Sequence, residues 1–240
     1  MYFGRCVVTG SRGWLGPYIV AALEVAGNEV LRPGRGHGWT GQVHAIIHAA
    51  PSPLAPVELQ ERVVREVPIL LLSSGAVTHK AADYRDGYVK LKRDAEENVA
   101  GYPRHQIARL FTCLGPGIPL DAHYAASTFL SQAIAGGPVV VHDGAVRSYL
   151  HPKDVASALL TILAHGDGEP YDVGGETGIE VAELGRRIAA AAGVPCQTDW
   201  PMKDDVYLPD LTRLHRLGWK QTIGLDAMIE ETLASLKVQV

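Results

Sequence analysis

The sequence predicts an α/β fold, a doubly wound parallel sheet with a smaller C-terminal lobe, and three observations carry that expectation. Short apolar runs alternate with helical stretches through the first half of the chain, the pattern of parallel strands joined by crossovers. The run Pro68–Ser73 (PILLLS) is nearly continuous in its apolar character, as a strand covered on both faces should be. Arg5–Val8 runs directly into Thr9-Gly10-Ser11-Arg12-Gly13-Trp14-Leu15-Gly16, a glycine turn that opens an apolar helix.

Each element follows from local chemistry. After the first strand, a helix is expected from Pro17 to Ala26, with Pro17 suited to a first turn and Gly27 to a stop. Asn28–Arg32 reads as a second strand, Pro33–Gly41 as a loop rich in Gly, Pro and Arg, and Ala45–His48 as a third strand. A helix is expected from Pro56 to Glu66, then the Pro68–Ser73 strand, a helix from Tyr88 to Ala100, and a strand from Gln106 to Phe111. The second half is less regular. It predicts helices over Tyr124–Ala135, Asp154–Ala164, Val181–Ala192 and Asp226–Leu236, and short strands at Pro138–Val141 and Tyr171–Val173. On this reading residues 1–115, with 145–165 returning, form the core, and 116–144 with 166–240 form the smaller lobe.

Bulk properties narrow the function. The chain has 240 residues, 47% hydrophobic, which is long enough for a substantial core. A formal net charge of −4 and the lack of a dense Lys/Arg tract argue against nucleic acid as partner. Cys6, Cys113 and Cys196 are widely separated without metal-type spacing, and read as free thiols of a reducing compartment. The chain starts directly on a strand with no signal-type apolar segment, and no apolar run is long enough to span a bilayer. A cytoplasmic location without membrane partners is expected.

The glycines Gly10, Gly13 and Gly16 lie at G-x-x-G-x-x-G spacing. Glycines let the backbone pass against a pyrophosphate while the first-turn N–H groups of the helix point at it, so the turn reads as a dinucleotide site. Thr9, Arg12, Trp14 and Leu15 line the same segment. Tyr88 and Lys92 form Y-x-x-x-K, and positions i and i+4 share a helix face. A cation beside the phenol stabilises phenolate, which suits Tyr88 to proton transfer at a carbonyl or alcohol. Ser74 follows an apolar strand, at the carboxyl end where open α/β sheets bind ligands. Tyr84 is the rival phenol, but no Lys follows it four residues on.

These motifs make the chain resemble the extended short-chain dehydrogenase/reductases, in particular the NAD-dependent epimerase/dehydratase family that modifies nucleotide-activated sugars on a Rossmann-type fold. VVTGSRGWLG resembles the family's glycine turn, and IIHAA (46–50) its strand beside the nicotinamide ribose, which implicates His48, Ala49 and Ala50. SSGAV (73–77) resembles the catalytic-serine segment and gives Ser74 that role, while YVKLKRDAE from Tyr88 resembles the Tyr–Lys motif with a trailing Glu. ARLFTCLGPG (108–117) resembles a strand in which Thr112 replaces the usual Asn of the substrate side. HDGAVRSYLHPKDVASAL from His142 resembles the block whose arginine, here Arg147, grips a nucleotide diphosphate; an Arg147–Asp154 pair across a turn is the structural alternative. YDVGG (171–175) and LGWK (217–220) resemble further family segments.

The departures are specific. Only about ten residues, Pro33–Val43, separate the second strand from the next, too few for the helix–strand–helix unit that family members carry there. The second strand should therefore be a sheet edge, with Arg32, Arg35 or Trp39 standing in for lost adenine contacts. That strand ends Leu31-Arg32-Pro33 without the carboxylate that selects NAD, and Arg12 and Arg32 can flank a 2′-phosphate, or simply be solvated. NADP is expected as cofactor, with NAD the alternative. The resemblance implies a ketoreductase of a nucleotide sugar or similar carbonyl compound, with catalytic Ser74, Tyr88 and Lys92; an epimerase, or a non-catalytic dinucleotide sensor, is the alternative. A dehydratase is disfavoured because Gly75-Ala76-Val77 offers no Asp-Glu pair. A homodimer through the Pro56–Glu66 and Tyr88–Ala100 helices is also expected from the resemblance.

Overall fold

Six parallel strands in the order β2-β1-β3-β4-β5-β8 form the main sheet. They are β1 (Arg5–Thr9), β2 (Glu29–Leu31), β3 (Ala45–His48), β4 (Ile69–Ser74), β5 (His105–Leu110) and β8 (Tyr171–Val173). The computed structural model describes residues 1–34, 38–50, 66–78, 86–122, 124–142, 144–198 and 205–237. The Pro56–Glu66 helix, Arg35 and Tyr84 thus fall outside the described residues, apart from Glu66.

The strands are apolar because both faces are covered: every residue of β3 and of β4 is buried. Helix α1 (Gly16–Val25) returns the chain from β1 to β2, with Ile19, Val20 and Leu23 buried. Asn28, expected to begin the strand, instead ties the N-terminus. Its Oδ1 accepts from the Phe3 and Gly4 amides at 2.6 and 3.0 Å, and its Nδ2 donates to the Leu23 carbonyl at 2.9 Å. Helix α2 (Asp86–Ala100) joins β4 to β5 and buries Val89, Lys92, Ala95, Glu96 and Val99, a stripe at helical spacing.

Among the described residues β2 pairs only with β1, so it is the sheet edge that the short Pro33–Val43 connection requires. Trp39 corrects one expectation. It is 6% exposed and packs among Val7, Val43, Ile46 and Leu71, so it is a core residue and not a substitute adenine contact. The shortened loop thus supplies an indole to the sheet face.

The chain divides into two units. One comprises Met1–Leu110, Val155–Val173 and Asp210–Lys220; the other comprises Phe111–Asp154, Gly174–Pro209 and Gln221–Val240. This differs from the division read from sequence, since β8 completes the main sheet through pairing with β5 and α6 (Thr212–Arg216) packs on it. The second unit holds α3 (Ala125–Ile134), β6 (Val139–Val141), β7 (Val146–Ser148), β9 (Gly178–Glu180), α5 (Val181–Ala192), β10 (Cys196–Thr198), β11 (Val206–Tyr207) and α7 (Leu225–Lys237). Helix α4 (Pro152–His165) begins in it and continues in the first unit. Inside the second unit α3, α5 and α7 pack together, β10 pairs with β6, and β7 lies between β11 and β9. Strands β7, β9, β10 and β11 have two or three residues each and were not legible from periodicity.

No helix among the described residues is long and apolar enough to cross a membrane. The three cysteines are free, and burial pushes the Cys6 thiol up to about 11 and that of Cys113 up to about 12. Replacing Trp39 by Ala is expected to cost about 3–5 kcal/mol in denaturant unfolding, as for other large core truncations, with cofactor affinity of the folded protein little changed.

Candidate active site

The glycine turn is closed by the protein's own backbone. Gly10 has φ of +72°, and a Cβ there would sit 2.7 Å from backbone atoms of Ala49 and Ala50. A Cβ at Gly16 would lie 2.4 Å from the Gly10 carbonyl oxygen, so the third glycine lets helix and turn approach. The Gly13 amide donates to the Gly10 carbonyl at 2.9 Å, and the Gly16 amide to that of Gly13 at 3.1 Å. Arg12 and Gly13 are exposed on the turn, while Trp14 and Leu15 are half-buried. No side chain caps the start of α1, and its first turn carries no acid, which suits an anion at the helix's positive end. The turn therefore fits a dinucleotide pyrophosphate.

Of the other residues assigned to the cofactor, Thr9 and His48 face each other. Thr9 Oγ1 and His48 Nδ1 are 2.8 Å apart and both residues are buried. They tie the ends of β1 and β3, and Ala49 and Ala50 present backbone to the turn. Arg32 is exposed but ion-paired with Glu24 of α1, so a phosphate must compete for it.

Tyr88 stands near the start of α2 with 42% of its surface exposed, whereas Lys92, one turn on, is 8% exposed. Lys92 Nζ lies 6.0 Å from the Tyr88 ring centroid and donates to the Leu72 carbonyl of β4 at 3.0 Å. Burial holds the Lys92 ammonium below the ordinary lysine range, with the Glu96 carboxylate pulling the other way. Ser74 ends β4, and its Oγ accepts from the Ala76 amide at 3.2 Å, capping the 3-10 turn Gly75–Val77. Helix α2 packs on both β4 and that turn. The arrangement therefore joins a half-exposed phenol, a buried cation and a hydroxyl on directly packed elements. No sequence motif marks Ser73 or Arg109 as part of this site, whereas Glu96, the trailing acid of the motif, lies at i+8 from Tyr88 and so near the same helix face.

In the second unit Arg147 is held by Asp205 and not by Asp154. Its guanidinium donates to the Asp205 carboxylate at 2.6 Å and to the Asp205 and Val146 carbonyls at 2.8 and 2.9 Å. It lies 5.7 Å from the Tyr207 ring centroid, and that ring stacks on Phe111 at 4.5 Å. Asp154 accepts from the Thr222 and Ile223 amides at 3.2 and 2.9 Å, which makes it a loop anchor. Thr112 is half-buried, and its carbonyl accepts from the Leu150 amide at 3.1 Å.

The chain is similar to several known proteins in sequence and in fold. Residues 80–174 match the model of the NAD dependent epimerase/dehydratase family. A trifunctional UDP-glucose 4,6-dehydratase/UDP-4-keto-6-deoxy-D-glucose 3,5-epimerase/UDP-4-keto-L-rhamnose-reductase of Arabidopsis thaliana is 31% identical over 158 residues, 61% of this chain and 24% of that protein. UDP-glucuronic acid decarboxylase 3 of the same plant is 28% identical over 170 residues, 64% of this chain and 50% of the relative. The chain thus spans half or less of these curated relatives. The fold is also that of RMD from Pseudomonas aeruginosa complexed with NADPH, at TM-score 0.78 and 22% identity, covering 100% of this chain and 99% of that one. The dTDP-glucose 4,6-dehydratase of Bacillus anthracis in complex with NAD aligns at TM-score 0.82 and 16% identity, over 98% of this chain and 97% of that one. The matched segment contains the Tyr88–Lys92 helix and the strand that follows it, so the stretch that is similar to the NAD dependent epimerase/dehydratase family is the one that carries the Tyr–Lys pair.

Proposed function

We propose that the protein is an NADP-dependent ketoreductase acting on a nucleotide-activated deoxysugar or a similar carbonyl compound. The observation that carries the reading is the Lys92 ammonium 6.0 Å from the Tyr88 ring, on a helix packed against the strand that ends in Ser74. A bound nicotinamide supplies hydride-transfer chemistry. Tyr88 gives the carbonyl oxygen its proton, the Ser74 hydroxyl orients that oxygen, and Lys92 holds the ribose and favours the phenolate left behind. The exposed Arg12 supports a 2′-phosphate and hence NADP, with Arg32 joining only if Glu24 releases it. Arg147 is the candidate clamp for a substrate diphosphate, with Asp205 as its resting partner. The homodimer expected from the sequence would pair α2, whose outer face exposes Lys90, Arg93 and Glu97, so its contacts would be polar.

An epimerase is the second reading. A structure of similar fold is a UDP-N-acetylglucosamine 4-epimerase from Bacillus cereus, at TM-score 0.77, and Tyr88 with Lys92 would equally serve proton transfer during hydride removal and return. Net oxidation of NADPH with a keto-sugar supports the reductase; interconversion of sugars with no net change in nicotinamide absorbance supports the epimerase.

Tyr88→Phe is expected to lower kcat at least 1000-fold and leave the cofactor Kd within about threefold, because only the proton transfer is lost. Full activity in Tyr88→Phe would overturn the catalytic assignment. Calorimetric titration is expected to show tighter binding of NADPH than of NADH, and Arg12→Ala to erase the difference; a preference for NADH refutes the assignment.

Lys92 also has a stability signature. Its folded-state value lies below its unfolded one, so the associated stabilisation is present above the unfolded lysine range and lost as pH falls through the folded value. At neutral pH the buried ammonium is a net cost. Lys92→Met should therefore abolish turnover yet unfold at a temperature equal to or above that of the wild type at pH 7, by scanning calorimetry.

A further inference from the structure

Beside the Tyr–Lys pair lies a buried polar group that the proposed chemistry does not use. Ser73 Oγ donates to Glu96 Oε1 at 2.5 Å. The Arg109 guanidinium closes on the same carboxylate from β5, with Nε to Oε1 at 3.0 Å and Nη2 to Oε2 at 2.7 Å. Ser73 and Arg109 are register partners across β4 and β5, so Glu96 sits over a cross-strand pair. The Glu96 side chain is 10% exposed and that of Arg109 20%.

One helical turn earlier, Lys92 holds the carbonyl of Leu72. Two consecutive residues of β4, Leu72 and Ser73, are therefore clamped by two side chains of α2 four residues apart, and the next residue is Ser74. We propose that Glu96, braced by Ser73 and Arg109, is a positioning residue that fixes the register of α2 on β4 and keeps the Lys92 ammonium charged beside Tyr88. This inference rests on the ketoreductase-type reading of Tyr88 and Lys92 and extends it to three further residues.

Two physical points support the role. A buried ion pair gives little net stability against an apolar replacement, but a bidentate pair fixes geometry. And the charges are arranged in a chain. Lys92 faces Glu96; Glu96 faces Arg109; Arg109 also feels Asp172 of β8, whose carboxylate accepts from the Asp210 amide at 3.0 Å. Removing the carboxylate alone leaves Lys92 and Arg109 as like charges in a buried site, which disfavours the ammonium.

The test combines kinetics with a readout that needs no turnover. Glu96→Gln keeps the side-chain shape and removes the charge. It is expected to lower kcat at least tenfold, to leave the cofactor Kd within threefold, and to move the alkaline limb of the kcat profile to lower pH. Glu96→Asp, which restores the charge, returns the limb toward the wild-type position. Ser73→Ala keeps all charges, so it lowers kcat a few-fold without moving the limb; it also keeps the proposal testable if Glu96→Gln folds poorly. In protein labelled with [ε-13C]lysine, the Lys92 resonance, assigned through Lys92→Met, titrates at lower pH in Glu96→Gln than in wild type. An unmoved limb together with an unmoved Lys92 titration overturns the proposal. So does loss of kcat only in proportion to folded protein. Full activity in Tyr88→Phe would instead refute the underlying reading, while the lysine titration still reports on the brace.

Discussion

Two charged side chains, Lys92 and Glu96, lie 8% exposed each between a helix and a parallel sheet, and the carboxyl edge of the sheet is organised around satisfying them. Neither can be buried there without partners. Lys92 takes the Leu72 carbonyl, and Glu96 takes a serine hydroxyl and a guanidinium. The consequence is geometric: α2 has one register on β4, and Tyr88 and Ser74 lie at the ends of the two elements so joined.

The second constraint is the short connection after β2. With so few residues between β2 and β3, the sheet ends at β2 among the described residues. An edge exposes unpaired backbone groups. Here the edge strand has three residues and carries an Arg5–Glu29 ion pair, with the Arg32–Glu24 pair just beyond its end. Trp39, expected near the adenine, fills the sheet face instead, because a large apolar ring gains more from leaving water beside Val7, Val43 and Ile46 than it would on an open loop.

The glycine turn shows how local and tertiary requirements coincide. Gly10 needs its positive φ, and it also needs to lack a Cβ because the end of β3 passes against it. The Thr9–His48 contact ties the ends of neighbouring strands and is made by two residues expected beside the cofactor. Arg147 shows the opposite case: its place in β7 was set by a segment nearly sixty residues away, through the Asp205 carboxylate.

The sequence by itself determined the alternation of strands and helices, the glycine turn, the edge position of β2 and the Tyr88–Lys92 pair. These depend on short-range signals: apolar runs, glycine spacing, the length of one connection and the i, i+4 geometry of a helix. Tertiary structure alone decided the partners of the polar side chains and the pairing of the short strands. Asp205 rather than Asp154 meets Arg147, Glu24 meets Arg32, and Ser73 and Arg109 converge on Glu96. Strands β10 and β11 exist only because β6 and β7 stand beside them. Such choices depend on which side chains the fold brings within about 3 Å of one another, a distance that hydrogen bonding demands and that spacing along the chain does not encode.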